Sequence, residues 1–298
     1  MITTPTVFIL GAGASKPYGF PSGAEIVRDI CKAPESELDS FGVGQADYLE
    51  FATELRNSDQ LSVDGFLELR PKFERVGKTA IAFHLVRCES VALLRPPDFR
   101  DWYSWLLNRM TASSFEGFKD NRVSFITFNY DRSLEHFLFS ALCSRYGKSP
   151  EEVAAVLNGF QFVHVHGRLG RLPWQEPVTE YMREYDAATT SRAVIGASQG
   201  IKIISENIDD SAEFEQARRL MRGAKRIGIL GFGYHHVNMR RLKIPIGTGL
   251  NIEVFGTSFG MSEAQRQHLA GLHPGLSLPL TNCKIMDLLC NTGAFLSD

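Results

Sequence analysis

The chain has 298 residues, 44% of them hydrophobic and 22% charged, the balance of an ordinary soluble globular protein. Lys and Arg number 32 against 34 Asp and Glu, so no global field draws in nucleic acid or an anionic membrane. No apolar run approaches the ~18–20 residues of a membrane span. The start has no basic region ahead of its four apolar residues, so a signal peptide is not expected. Cys31, Cys88, Cys143, Cys283 and Cys290 are scattered and never spaced C-x-x-C, which argues for reduced thiols and against structural zinc or a disulfide framework.

In chain order, Val7–Leu10 reads as a short buried strand leading into a small-residue turn, Gly11-Ala12-Gly13-Ala14-Ser15. Such glycines let the backbone approach a ligand, and amides entering a helix suit phosphate. The G-x-G-x-x-G fingerprint is half met, because Lys16 stands where the third glycine belongs. Gly23–Cys31 is expected to be helical, Lys32–Gly44 a loop, and about 45–110 an all-helical insertion. Within it, Tyr48, Phe51, Ala52 and Leu55 form one stripe and Ser62 caps a helix. Pro71–Leu94 reads as one long helix, stopped by Pro96-Pro97, with a further helix over Asp98–Met110.

Strand patterning returns at Arg122–Phe128 and Phe160–Val165, separated by an amphipathic helix over Arg132–Arg145 and one started by Ser149-Pro150. Residues 167–200 read as a long surface excursion. A helix at Ala212–Arg222 precedes a strand at Arg226–Leu230, which ends in Gly231-Phe232-Gly233. Asn251–Phe255 is another strand, ending in Gly256-Thr257-Ser258, with a helix at Ser262–Leu269. Cys283–Met286 is expected to be a last strand, and Asp287–Leu296 closes the chain. This succession predicts an α/β fold, a Rossmann-like parallel sheet flanked by helices, in one domain over 1–298.

Ligands of such sheets sit at the carboxyl ends of the strands. Those ends carry Gly11–Ser15, Thr127-Phe128-Asn129-Tyr130-Asp131, His164-Val165-His166-Gly167, Gly231–Tyr234 and Gly256–Ser258. Each has a plainer use: Asn129 and Asp131 as caps, one histidine as a core group, the glycines as turns. Their collection at one edge favours a site. Arg218, Arg219, Arg222, Lys225 and Arg226, and then Arg240, Arg241 and Lys243, read as solvated basic faces.

The ordered set GAGAS…GFP, FNYD, HG, GFG and GTS resembles the sirtuin (SIR2) NAD-binding domain, nearest the bacterial SIR2-like proteins. The resemblance spans nearly the whole chain and implies the sirtuin/DHS-like NAD-binding fold. It departs from the deacetylases where their four-cysteine zinc module and the acidic and arginine residues after the Gly-rich loop are missing. No zinc is expected. Carried over residue by residue, Gly11, Ala12, Gly13, Ala14, Ser15, Phe20, Pro21, Thr127, Gly231, Phe232, Gly233, Gly256, Thr257 and Ser258 would bind the cofactor. Asn129, His166 and Asp131 would be catalytic, with His164 as the competing base.

What the resemblance implies is cleavage of the nicotinamide–ribose bond of NAD, with NAD as a substrate. Such bacterial proteins deplete NAD on phage infection, which implies a cytoplasmic enzyme, activated as a homo-oligomer or by a separate sensor or activator protein. The alternatives are a protein deacylase or ADP-ribosyltransferase, and a non-catalytic module binding NAD or ADP-ribose.

Overall fold

The computed structural model describes residues 1–32, 41–96, 101–178, 181–186, 188–203, 211–244, 252–273, 276–277 and 282–291. Among these residues six strands form one parallel sheet: β1 (Thr6–Leu10), β2 (Val123–Thr127), β3 (Gln161–His164), β4 (Arg226–Leu230), β5 (Glu253–Gly256) and β6 (Leu276–Ser277). Their spatial order is β3-β2-β1-β4-β5-β6. The chain builds outward from β1 through β2 to β3, then crosses back to place β4 on the other side of β1. That reversal is the switch point at which doubly wound sheets hold ligands. Register keeps the ends level, with Leu10 opposite both Thr127 and Leu230, and Thr127 opposite His164.

The alternation along each strand divides the interior in two. Phe8, Leu10, Phe125 and Leu230 face a large core shared with the helices between β1 and β2. Val7, Ile9, Ile126, Val163, Ile227 and Ile229 face a second core, completed by Phe214, Met221, Met239 and Leu242. Both faces of the sheet are therefore covered, which explains why its strands read as unbroken apolar runs.

The helices are α1 (Ala12–Ser15), α2 (Gly23–Ile30), α3 (Gln45–Asn57), α4 (Val63–Leu69), α5 (Glu74–Val86), α6 (Trp102–Met110), α7 (Ser133–Tyr146), α8 (Pro150–Leu157), α9 (Ser191–Gly200), α10 (Ala212–Gly223), α11 (His236–Leu242), α12 (Glu263–Leu272) and α13 (Ile285–Asn291). Local chemistry sets their starts. Ser22 with Glu25 and Ser149 with Glu152 form capping boxes, and Ser62 Oγ accepts from Gly65 N at 3.1 Å. The helical insertion is held to the sheet by α6: Trp102 Nε1 donates to Ala14 O at 2.7 Å, and Tyr18 OH donates to Asp101 at 2.6 Å.

Four expectations need correction. Pro71–Leu94 is broken: a 3-10 turn at Pro71–Phe73 leads into α5, and after Val86 the chain turns to send Glu89 inward to Arg132. The 167–200 excursion contains α9, whose Val194 and Ala197 enter the large core. Cys283–Met286 is not a strand; helix α13 begins at Ile285, and the sixth strand is Leu276–Ser277. The basic faces are not wholly solvated, since Arg218, Arg226 and Arg241 are buried. Most of the Lys32–Gly44 loop, Pro97 and the first residues of the Asp98–Met110 helix, Asn251 at the start of the fifth strand, and the chain beyond Asn291 lie outside the described residues.

Candidate active site

Two glycine turns meet at the switch point. Gly13 N donates to Gly231 O at 2.9 Å and Gly11 N to Leu230 O at 3.0 Å, so the turn after β1 is stitched to the turn after β4. A Cβ on Gly13 would stand 2.8 Å from Gly231 Cα, and one on Gly231, whose φ is +59°, would stand 2.2 Å from Ala14 N. These glycines are required by backbone packed on backbone. Two of the amides expected to face a phosphate are spent within the protein.

Beside this junction lies a cleft of about 520 Å³, lined from the sheet by Gly11, Ala12, Phe128, Asn129, His166, Phe232 and Gly233. Helix α4 supplies the opposite wall through Asp64 and Glu68, and α11 adds Asn238 and Arg241. A smaller cavity of about 90 Å³, lined by Ser15, Phe20, Pro21 and Asp131, shares Ala12, Gly23, Asp64, Phe128 and Asn129 with it.

Asn129 is fixed at three points. Its N–H donates to Thr127 Oγ1 at 3.0 Å, and its Nδ2 donates to Gly11 O and Ser15 Oγ, each at 2.9 Å. With the amide nitrogen committed, the side-chain oxygen is the group left to accept from a ligand hydroxyl or a water.

The two histidines differ in kind. His164 is fully engaged, its Nδ1 3.0 Å from Asn129 O and its Nε2 2.7 Å from Glu135 Oε1. Both ring nitrogens are therefore engaged within the protein, which leaves neither free to meet a substrate. Burial pushes the Glu135 carboxyl up, but His164 and then Arg168 hold it below the usual carboxylate range. His166 sits in the cleft wall against the rings of Phe128 and Phe214, with Nδ1 buried and without a hydrogen-bond partner. Burial lowers its pKa below the ordinary 6.5, Asp64 pulls it back up, and Arg241 pushes it further down. This direction favours the neutral imidazole, the form that a general base needs.

Asp131 lies under the floor of the site. Its Oδ1 accepts from Ser133 N at 3.1 Å and from the Ser133 hydroxyl, which also meets Tyr103 OH at 2.6 Å. Burial pushes its carboxyl up, against the lowering contacts of Ser133 and Ser15. This network ties the turn after β2 to α6. Thr257 joins the two strand-end turns, accepting from Gly231 N at 2.8 Å, and Ser258 is buried beside it. Gly13, Ala14, Thr127, Gly231, Gly256, Thr257 and Ser258 support the cleft without lining either cavity.

The sequence reading missed Asp64, Glu68 and Arg241. A signal existed: Asp64 and Glu68 are four apart on one helix face, and Arg241 lies four residues after the buried Val237. Tyr130 OH donates to Asp64, and Arg241 Nη2 stands 3.5 Å from Glu68 Oε2.

No protein-family model and no curated protein matches this sequence.

Proposed function

We propose that this cleft cleaves the N-glycosidic bond of NAD, releasing nicotinamide and ADP-ribose, and that the chain is a SIR2-like NAD hydrolase. The observation that carries the proposal is the pairing of Asn129 and His166 in one cleft at the switch point of a β3-β2-β1-β4-β5-β6 sheet, one immobilised by three hydrogen bonds and the other buried with Nδ1 unpartnered.

The chemistry follows from these two groups. As the anomeric carbon–nitrogen bond lengthens, its electron pair moves onto the cationic pyridinium nitrogen, and nicotinamide leaves neutral. The ribosyl centre passes through an oxocarbenium-like state, as in glycoside hydrolysis. Asn129 accepts from the ribose or the incoming water, the water oxygen bonds to the anomeric carbon, and its proton passes to His166. Phe128 and Phe232 give this cleft an apolar wall.

The resemblance to bacterial SIR2-like proteins extends the proposal to NAD depletion in anti-phage defence, in the cytoplasm, with activation by self-assembly or by a separate sensor protein. Incubating the purified protein with NAD across a range of protein concentrations, with chromatographic detection of products, tests the activity. Nicotinamide and ADP-ribose should appear in equal amounts, and Asn129→Ala and His166→Ala should each abolish them. Undiminished release by either variant overturns the assignment, and saturable NAD binding without release at any concentration points to a non-catalytic module.

A further inference from the structure

The cleft is short of positive charge. Its lining includes the carboxylates Asp59, Asp64 and Glu68, and Arg241 is the one Lys or Arg among the described lining residues. The glycine turn offers less than its sequence suggests, because the Gly11 and Gly13 amides are bonded to Leu230 O and Gly231 O. A diphosphate entering here therefore has one strong electrostatic partner. That partner is held by a competing anion on the helical insertion, since Arg241 Nη2 stands 3.5 Å from Glu68 Oε2 on α4.

The contact is a loose one by the molecule's own standard. Buried Arg132 grips Glu89 through three contacts of 2.9–3.0 Å, while Glu68 approaches Arg241 at 3.5 Å. A guanidinium meets a phosphate best through two parallel, charge-assisted hydrogen bonds, a geometry that the 3.5 Å approach of Glu68 to Arg241 does not supply.

We propose that Arg241 is the residue that positions the diphosphate of the dinucleotide, and that Glu68 competes with the substrate for it. The inference rests on the dinucleotide reading of the cleft and adds its anion subsite. Binding exchanges a carboxylate of α4 for a phosphate, so the Glu68–Arg241 contact latches the insertion across the cleft and opens as substrate seats. Arg241 acts by holding substrate and leaves the proton transfer to His166.

The test measures binding, so that it does not depend on turnover. ADP-ribose, inorganic pyrophosphate and adenosine are titrated calorimetrically into the wild type, Glu68→Gln, Arg241→Gln and Arg241→Lys, with thermal unfolding run on each. ADP-ribose and pyrophosphate should bind on the order of 10-fold more tightly to Glu68→Gln and about 10–100-fold more weakly to Arg241→Gln, with Arg241→Lys between the wild type and Arg241→Gln. Adenosine, which has no diphosphate, should bind all four alike.

The proposal is overturned if the wild type binds neither ADP-ribose nor pyrophosphate, or if Glu68→Gln leaves both affinities unchanged. Equal losses of ADP-ribose and adenosine in a folded Arg241→Gln overturn it too, because they mark damage to the cleft's shape. Should Arg241→Gln not fold, the Glu68→Gln arm decides alone. A wild type that shows the expected binding pattern but never releases nicotinamide defeats the hydrolase assignment and leaves the anion subsite standing.

Discussion

His164 and Glu135 form a buried pair 2.7 Å apart, and the other ring nitrogen of His164 holds the backbone carbonyl of Asn129 at 3.0 Å. The pair therefore sets the strand end from which Asn129 projects, while His166, two residues on, stands in the cleft wall. Removing one partner of a buried pair strands the other's charge, which costs about 3–5 kcal/mol. His164→Ala should lower unfolding stability in urea by that order at pH 7. His166→Ala should lower it much less, while removing activity. Equal stability losses would mean that the two rings share one structural role.

Within the Gly231-Phe232-Gly233 turn the two glycines have different duties. Gly231 has a positive φ and meets the Gly13–Ala14 backbone, whereas a Cβ on Gly233 would meet nothing within 4 Å. Gly231→Ala should destabilise the protein by at least about 1–3 kcal/mol, the range for a strained backbone position, before the clash is added. Gly233→Ala should leave the denaturation midpoint unchanged, so its effect on turnover, if any, reads ligand contact alone. A midpoint shift of similar size in both variants would refute this division.

How much of this was legible in the sequence depended on the range of the interaction. Short continuous apolar runs ending in glycine or polar turns marked β1 to β5, and a switch point followed once those ends were taken as one edge. Ser62 and Ser149 announced their helices because capping is local. Cys283–Met286 misled because four residues with an apolar bias suit a buried strand and a helix start equally. Helix α9 escaped notice because Ser191–Gly200 is rich in small residues, with Ala193, Gly196, Ala197 and Gly200 in a stretch whose flanks read as loop. The glycine turn was visible, but its demand came from another turn more than two hundred residues away, so it read as ligand-facing. Arg241 and Glu68 were legible only as positions on a helix face: pattern shows which face a residue occupies, and only the fold shows what it meets across a cleft.

The Arg132–Glu89 pair predicts where the insertion is anchored. Arg132 stands between Asp131 and the start of α7, and Glu89 follows α5; both side chains are fully buried. Arg183 Nη1 adds a second contact to Glu89 at 2.6 Å. Glu89→Gln leaves two buried guanidiniums without their carboxylate, so a loss of about 3–5 kcal/mol is expected from chemical denaturation. A loss below about 1 kcal/mol, the level of an exposed ion pair, would show that the cluster does not carry the insertion's docking.

The pH dependence of the reaction should identify the base and its neighbours together. Burial places the His166 pKa below its ordinary 6.5, so the neutral ring persists into mildly acidic solution and the acid limb of kcat/KM lies below 6.5. The same depression makes the folded state bind fewer protons than the unfolded one, so His166 contributes stability above pH 6.5 that is lost as pH falls toward its folded value. Two neighbours move the limb in opposite directions. Asp64 favours the imidazolium, so Asp64→Asn should shift the limb to lower pH; Arg241 disfavours it, so Arg241→Gln should shift the limb to higher pH. Full pH–rate profiles of the three proteins decide the matter, since a loss of binding alone changes the height of the profile and leaves its limb in place. Limbs that coincide in all three would remove His166 as the titrating base.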